Sequence, residues 1–112
     1  MKRKKLMAPL VLLTFEVLGC GLAGAQPKTI EVTIEHFKFE PEQIDVVPGD
    51  TIRFTNKDIA PHTATAKDNS WTTMTLKQGE NGNVIIDAKS GLDFICKFHP
   101  MMKGQIKINA VQ

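Results

Sequence analysis

Cysteine and histidine are scarce in this chain, and their scarcity excludes several kinds of site. The 112 residues contain two cysteines and three histidines. Structural zinc sites prefer several cysteines, a multicopper oxidase needs many more histidines, and the C-x-x-C-H motif of attached haem is absent. The chain also lacks a basic stripe, because its lysines after residue 25 are scattered singly. Nothing therefore suggests nucleic-acid binding.

The first 25 residues have the pattern of a secretory signal peptide. Lys2 to Lys5 give a basic start, and Leu6 to Leu18 form a mostly apolar run. Small residues ending at Ala25 then stand at the usual cleavage spacing. A competing interpretation is the lipobox of bacterial lipoproteins, in which Cys20 would be lipidated, and an uncleaved anchor is a third. Both main routes export the domain, so we expect a periplasmic or otherwise exported protein.

The expected organisation is a signal peptide at 1–25 followed by one small domain at 26–112. This domain carries ten basic and eleven acidic residues, so its net charge is −1 and the leader accounts for the +2 of the whole chain. Small exported domains are often held together by disulfides, but Cys96 stands alone once Cys20 is removed. A lone cysteine in an oxidising compartment is a reactive thiol unless its sulfur is bonded to another group. We expect its sulfur to bond to something other than a second cysteine.

Residues 26–112 are patterned as strands throughout. Apolar residues alternate with polar ones from Ile30 to Ile34, which is the period of a half-buried strand, and the phase then slips before Phe37, which predicts a bulge. Turn residues such as those at 48–50 separate the later strands. Those strands are predicted at 44–47, 51–55, 63–66, 71–76, 84–86, 92–98 and 105–108. The sequence predicts an all-β fold, a Greek-key β-sandwich of about eight strands.

Three potential metal donors follow one another near the C-terminus, in the spacing C-x2-H-x2-M: Cys96, His99 and Met102. Pro100 prevents the strand from simply continuing, so the chain must turn and can bring the imidazole and thioether back toward the sulfur. A fourth donor must come from elsewhere. His62, in "APHTATA", is the obvious candidate because it lies on a different hairpin.

Two imidazoles, one thiolate and one thioether form the donor set of a blue-copper electron-transfer centre. A trigonal His2Cys plane with a weak axial Met tolerates both Cu(I) and Cu(II), so little rearranges when the electron moves. We therefore expect one copper ion held by His62, Cys96, His99 and Met102, in a protein that is not an enzyme. Met101 is the rival for the axial position, although spacing favours its neighbour.

At these residues the chain resembles the cupredoxins, the plastocyanin and azurin superfamily. "FKFEPEQIDVVPGDTIRFTNKDIAPHTATA" resembles the first half of that family, and "FICKFHPMMKGQIKI" resembles the second half with a short ligand loop of the amicyanin type. The resemblance implies a β-sandwich that shuttles single electrons by Cu(I)/Cu(II) cycling. It also implies transient redox partners that dock near His99. We expect a monomer.

Two residues depart from the family pattern. Many members have Asn directly after the first ligand, where its side chain helps tie the ligand loops together, and this chain has Thr63. Many also have Pro before the second histidine, where this chain has Phe98. We expect both to alter the hydrogen bonds around the centre, and so its reduction potential.

The main alternative function is a periplasmic copper carrier or buffer with the same ligands and no dedicated electron partner. A cupredoxin-like domain without metal is a third possibility. A Cys-His hydrolase fits less well, because a small sandwich offers little room for a substrate and Met102 would be unexplained.

Several other residues have simpler interpretations. His36 is interpreted as a plain strand residue near the bulge. Trp71 and Met74 are predicted to serve in packing. Lys57 and Asp58 are predicted to belong to a solvated turn.

Overall fold

The computed structural model describes residues 26–109, which fold into eight β-strands. The strands are β1 (Thr29–Glu35), β2 (Lys38–Glu40), β3 (Gln43–Val46), β4 (Thr51–Asn56), β5 (Thr65–Ala66), β6 (Asn81–Ile85), β7 (Asp93–Ile95) and β8 (Lys103–Ile108). The all-β prediction is confirmed. The predicted signal peptide at 1–25 and the possible lipid site at Cys20 lie outside the described residues. Between residues 26 and 109, no helix is long and apolar enough to cross a membrane.

The strands form two sheets of four. One sheet has the order β2-β1-β4-β6 and the other the order β3-β8-β7-β5. The β1–β4 and β3–β8 pairs are parallel, whereas the remaining pairs are antiparallel. Every connection from β2 to β7 therefore crosses from one sheet to the other, whereas β1–β2 and β7–β8 are hairpins within a sheet.

The core between the sheets follows from the alternation of apolar residues. In β4, for example, Ile52 and Phe54 are fully buried. The aromatic centre of the core consists of Phe39, Phe54, Trp71 and Phe94, whose ring centroids lie 4.8 to 6.0 Å apart where they meet. This confirms the packing role predicted for Trp71, which also donates a hydrogen bond from its indole nitrogen to the carbonyl of Gly91 at 3.0 Å.

Gly104 is needed where β7 and β8 pair. It lies opposite Phe94 in the register, and the Phe94 ring covers its backbone. A Cβ at Gly104 would lie 2.1 Å from Cζ of that ring, closer than any real contact. The glycine thus lets the two strands that carry the ligand loop pack against the aromatic core.

The predicted bulge after β1 is wrong. β1 ends at Glu35, and His36 and Phe37 form a two-residue turn into the antiparallel strand β2. The turn pairs Ile34 with Phe39, and both side chains are buried. The phase of the apolar pattern slips because the chain reverses, not because the strand gains a residue.

The predicted strand at 71–76 is also wrong. This segment forms only isolated bridges, between His62 and Leu76 and between Thr65 and Thr72. Met74, at its middle, has a positive φ of 65°, which interrupts the extended backbone of a strand. Met74 is also exposed, so its predicted packing role is not confirmed.

Candidate metal centre

The loop between β7 and β8 carries the three donors that are close in sequence. The His99 amide donates to the Cys96 carbonyl at 3.2 Å, and the Met102 amide donates to the His99 carbonyl at 2.8 Å. The Cys96 amide closes the loop by donating to the Met102 carbonyl at 3.1 Å. The chain turns twice in seven residues, as the proline at position 100 predicts.

His62 comes from a loop after β4 that is organised by the buried side chain of Asn56. The Asn56 amide group donates to the carbonyls of Ala60, at 2.9 Å, and Leu76, at 2.8 Å. Its side-chain oxygen accepts from the amide of Asp58 at 2.9 Å. These bonds fix the path of the chain into His62, which then bridges to Leu76 through two backbone hydrogen bonds.

Asp58 is bonded to the centre and is not part of the solvated turn that was predicted. Its Oδ2 accepts a hydrogen bond from Nε2 of His62 at 2.8 Å. The same carboxylate accepts from the backbone amides of His36, at 2.8 Å, and Phe37, at 3.0 Å. Burial acts to raise the Asp58 pKa, but the hydrogen bonds from these three partners outweigh it and hold the pKa below its ordinary value of 3.8.

The thiol and both predicted histidine donors meet at one point. Cys96 Sγ lies 3.6 Å from Nδ1 of His62 and 3.7 Å from Nδ1 of His99. One donor atom from each residue lies within 4.8 Å of the others. His62 and Cys96 are fully buried, and His99 is half-buried. The structure therefore brings together three of the four predicted donors, with His99 nearest to the surface.

The two adjacent methionines differ sharply in exposure. Met102 belongs to the hydrophobic core and is 4% exposed, whereas Met101 is 93% exposed. A thioether donor to a buried centre must itself point inward. Burial therefore favours Met102 over Met101, in agreement with the spacing.

Thr63 takes part in the hydrogen bonding that ties the two loops together. Its backbone amide donates to Cys96 Sγ at 3.4 Å, and its hydroxyl oxygen accepts from the Lys97 amide at 2.9 Å. The Thr65 hydroxyl donates to that oxygen at 3.0 Å and lies 2.8 Å from the Thr72 hydroxyl. A row of threonine hydroxyls thus reaches from the surface to the cysteine loop. Thr63, the member of the row that bonds to this loop, stands where many cupredoxins have Asn.

Phe37 lies against both histidines. Its ring centroid is 4.9 Å from that of His62 and 4.8 Å from that of His99, with interplanar angles of 87° and 83°. The two imidazole rings are themselves 5.1 Å apart. Although it is 48% exposed, Phe37 is therefore part of the wall of the centre.

The donors suit copper. A thiolate with two imidazoles and a thioether is the type 1 copper set, in which soft sulfur donors favour Cu(I) and imidazoles also suit Cu(II). The cluster is compact enough to hold one copper ion. The Asp58 carboxylate holds the His62 ring and Phe37 packs against the His99 ring, and such contacts orient the ligands of a metal site.

Sequence reasoning missed two residues of this centre, Asp58 and Phe37. Asp58 stands four positions before His62, and that spacing was the only signal that could have linked them. The turn that carries Phe37 gave no signal, because its sequence is His-Phe and not the Asn-Gly that marks such turns. His36 likewise lies in this turn and not in a strand.

The comparisons with known proteins agree with this description. A family model described as a cupredoxin-like domain matches residues 6–108. Amicyanin-alpha of Methylorubrum extorquens is 26% identical over 83 residues, which cover 70% of this chain and 70% of the relative.

Many solved structures are similar in fold. A proline-to-phenylalanine mutant of amicyanin in its reduced state matches with a TM-score of 0.63 and 24% identity, over 72% of this chain and 82% of that one. A purple cupredoxin from Nitrosopumilus maritimus matches with a TM-score of 0.64 and 19% identity, over 71% of this chain and 99% of that one. Because the family model spans nearly the whole chain, this protein belongs to the cupredoxin-like domain family.

Proposed function

We propose that this protein is an exported type 1 copper protein that passes single electrons between redox partners, with His62, Cys96, His99 and Met102 as the copper ligands. The observation that carries the proposal is the buried Cys96 sulfur, which lies 3.6 and 3.7 Å from one Nδ1 atom of each imidazole. Bound copper would supply the exchange between Cu(I) and Cu(II) at this point.

The chain supplies a stiff set of donors. The Asp58 carboxylate occupies Nε2 of His62, so that Nδ1 is the nitrogen left free to face the thiolate. The Thr63 amide points at the Cys96 sulfur and stabilises negative charge there. Fixed donors of this kind favour electron transfer, because the site need not be rebuilt when its charge changes.

The surface around His99 suits the brief docking of a partner. His99 is the predicted ligand nearest to solvent, and its neighbours Phe98 and Met101 are 52% and 93% exposed. The net charge of −1 for residues 26–112 gives little long-range steering. We propose a small apolar contact, below about 1,200 Å2 in total, which suits weak redox encounters.

The proposed cellular form is a monomer exported by a signal peptide at 1–25. Mass spectrometry of protein exported by its native host should give a chain that begins at Gln26. A lipid on Cys20 would instead place the same domain on a membrane surface.

The test of the copper proposal is a metal analysis with a visible spectrum of wild type and Cys96→Ser. We expect one copper per wild-type chain and an intense blue or green band from the thiolate, which the variant loses. A variant that keeps the band would overturn the assignment of Cys96. Reversible voltammetry at a defined potential separates an electron shuttle from a copper carrier, since a carrier need not cycle reversibly.

A further inference from the structure

We propose that Phe37 is a positioning residue of the metal centre, and that the Asp58 carboxylate holds the strained turn that presents it. This inference rests on the proposed copper function and assigns a role to a residue outside the ligand set. It follows from three observations: the conformation of the turn, the hydrogen bonds that hold it, and the contacts of the Phe37 ring.

The turn at His36 and Phe37 has an unfavourable conformation for its sequence. Both residues have positive φ, 56° and 57°. Positive φ at both central residues is the pattern of a common two-residue hairpin turn. Asn and Gly are the usual occupants of these positions, and a bulky residue there is an outlier. A Phe at this place needs an external restraint, and such strain often accompanies a functional role.

The restraint is the Asp58 carboxylate, which is 21 and 22 residues distant in sequence. One carboxylate oxygen accepts from the amide of His36 and the other from the amide of Phe37. Two adjacent amides that donate to one carboxylate restrain the backbone of the turn. The oxygen that accepts from Phe37 is also the one that accepts from His62.

The Phe37 ring then restrains His99, which has fewer hydrogen bonds than His62, the other proposed histidine ligand. Within residues 26–109, the ring nitrogens of His99 make one polar contact, that of Nδ1 with Cys96 Sγ at 3.7 Å. Phe37 packs against His99 in an edge-to-face arrangement at 4.8 Å, a geometry that aromatic rings prefer. His99 is therefore oriented mainly by ring packing, whereas His62 is oriented by a carboxylate.

Asp58 thus controls both imidazoles. It bonds to His62 directly, and it positions His99 through the turn and the Phe37 ring. His99 faces the proposed docking surface. If its ring is fixed, the path of the electron from the site to a docked partner stays the same in both oxidation states. We expect loss of the Phe37 ring to increase the motion of His99 and to slow electron self-exchange by about tenfold, the scale of a lost aromatic pair.

The first test uses copper-free protein and needs no metal. Variants Phe37→Leu and His36→Asn/Phe37→Gly are compared with wild type by NMR of the imidazole ring signals. We expect the carbon-bound proton signals of His62 and His99 to shift, and the His99 ring to become more mobile on the nanosecond scale. The Leu92→Ala variant truncates an exposed apolar side chain elsewhere. It should change neither the imidazole proton signals nor the mobility of the His99 ring.

The double variant separates positioning from stability. Asn-Gly relieves the strain of the turn, so this protein should unfold at an equal or higher temperature although it lacks the Phe37 ring. If Phe37 were merely structural, the more stable variant would have an unaltered centre. If it positions His99, the ring becomes mobile in spite of the gain in stability.

The copper-loaded proteins give the second measurement. We expect Phe37→Leu to keep one copper and its thiolate band, with a changed electron paramagnetic resonance signal and slower self-exchange. Unchanged His99 mobility and unchanged self-exchange in a copper-loaded variant would overturn the role of Phe37. A wild-type protein that binds no copper would instead overturn the proposed function, and the NMR comparison would still decide whether Phe37 orders the rings.

Discussion

The Nε2 atom of His62 lies 2.8 Å from a carboxylate oxygen of Asp58, and the two side chains are 0% and 12% exposed. The carboxylate can only accept, so Nε2 carries the proton of the neutral ring and Nδ1 is free. A partly shielded carboxylate on the far nitrogen also makes the imidazole a stronger donor. In the proposed copper site, this one hydrogen bond would therefore select Nδ1 as the ligating atom and strengthen it as a donor.

The Asp58→Asn substitution should weaken copper binding about tenfold, the usual lower bound for loss of such a partner. We expect the loss to fall mainly on Cu(II), which depends more on the imidazole donors, so the reduction potential should rise by up to about 60 mV, the equivalent of a tenfold ratio for one electron. Voltammetry and Cu(I) competition measure the two quantities. The exposed Asp68→Asn should change neither, and a lower potential in Asp58→Asn would contradict the prediction.

The Met102→Gln substitution should lower the reduction potential. An amide oxygen is a harder donor than a thioether and favours Cu(II), and the axial ligand is a main determinant of the potential in type 1 sites. Met101→Gln is the matched control, because that side chain is 93% exposed and should affect the potential much less. A larger effect of Met101→Gln in the voltammogram would identify Met101 as the ligand.

The Thr63→Val substitution should destabilise the copper-free protein by about 1 kcal/mol, because the Lys97 amide loses its acceptor in a partly buried place. Thr65→Val should cost less, since it leaves the bond between Thr63 and Lys97 intact. Urea unfolding measures both, with the exposed Thr75→Val as the control. Equal costs for Thr63→Val and Thr75→Val would show that the hydroxyl does not hold the cysteine loop.

The Asp68 carboxyl should contribute to the acid sensitivity of the fold. Hydrogen bonds from the Ser70 side chain and backbone hold its pKa below the ordinary value of 3.8. A lowered folded pKa means that the contribution is complete above pH 3.8 and is lost as the pH falls through the folded pKa. Asp68→Asn should therefore reduce the unfolding free energy of copper-free protein at pH 7 and have less effect near pH 2.5. An equal effect at both pH values would exclude this linkage.

The Met101→Lys substitution should slow electron exchange with the physiological partner. It places a charge in the exposed apolar surface beside His99, while the side chain that it replaces points away from the core. The visible spectrum and the potential should change little, so stopped-flow kinetics isolate the docking step. An unaltered rate would mean that the electron leaves by another face.

The parts of the centre that the sequence predicted are those with local patterns. The Cys96 loop has diagnostic spacing within seven residues, and the strands have clear alternation. The same local reasoning failed at Met74, where strand-forming neighbours predicted a strand but a positive φ of 65° interrupts it.

The parts that could not be predicted depend on distant contacts. Asp58 meets the turn at His36 and Phe37 across 21 and 22 residues, and no spacing rule anticipates that meeting. The effect of having Thr63 in place of Asn was expected, but only the structure shows that its hydroxyl reaches Lys97. Hydrogen bonds between distant loops form only when the whole chain folds. The sequence therefore indicates the proposed ligands but not the residues that hold them in place.

The sequence separation of His62 from the other proposed ligands also sets the order in which the centre can assemble. His62 lies 34 residues from Cys96, whereas the other two donors lie on one short loop. Loop closure over the longer separation costs about 1.5 kcal/mol more than closure over the short one, and only the completed sandwich meets that cost. Full-strength copper colour is therefore a reporter of native topology, and its appearance during refolding should coincide with the last docking of the two sheets.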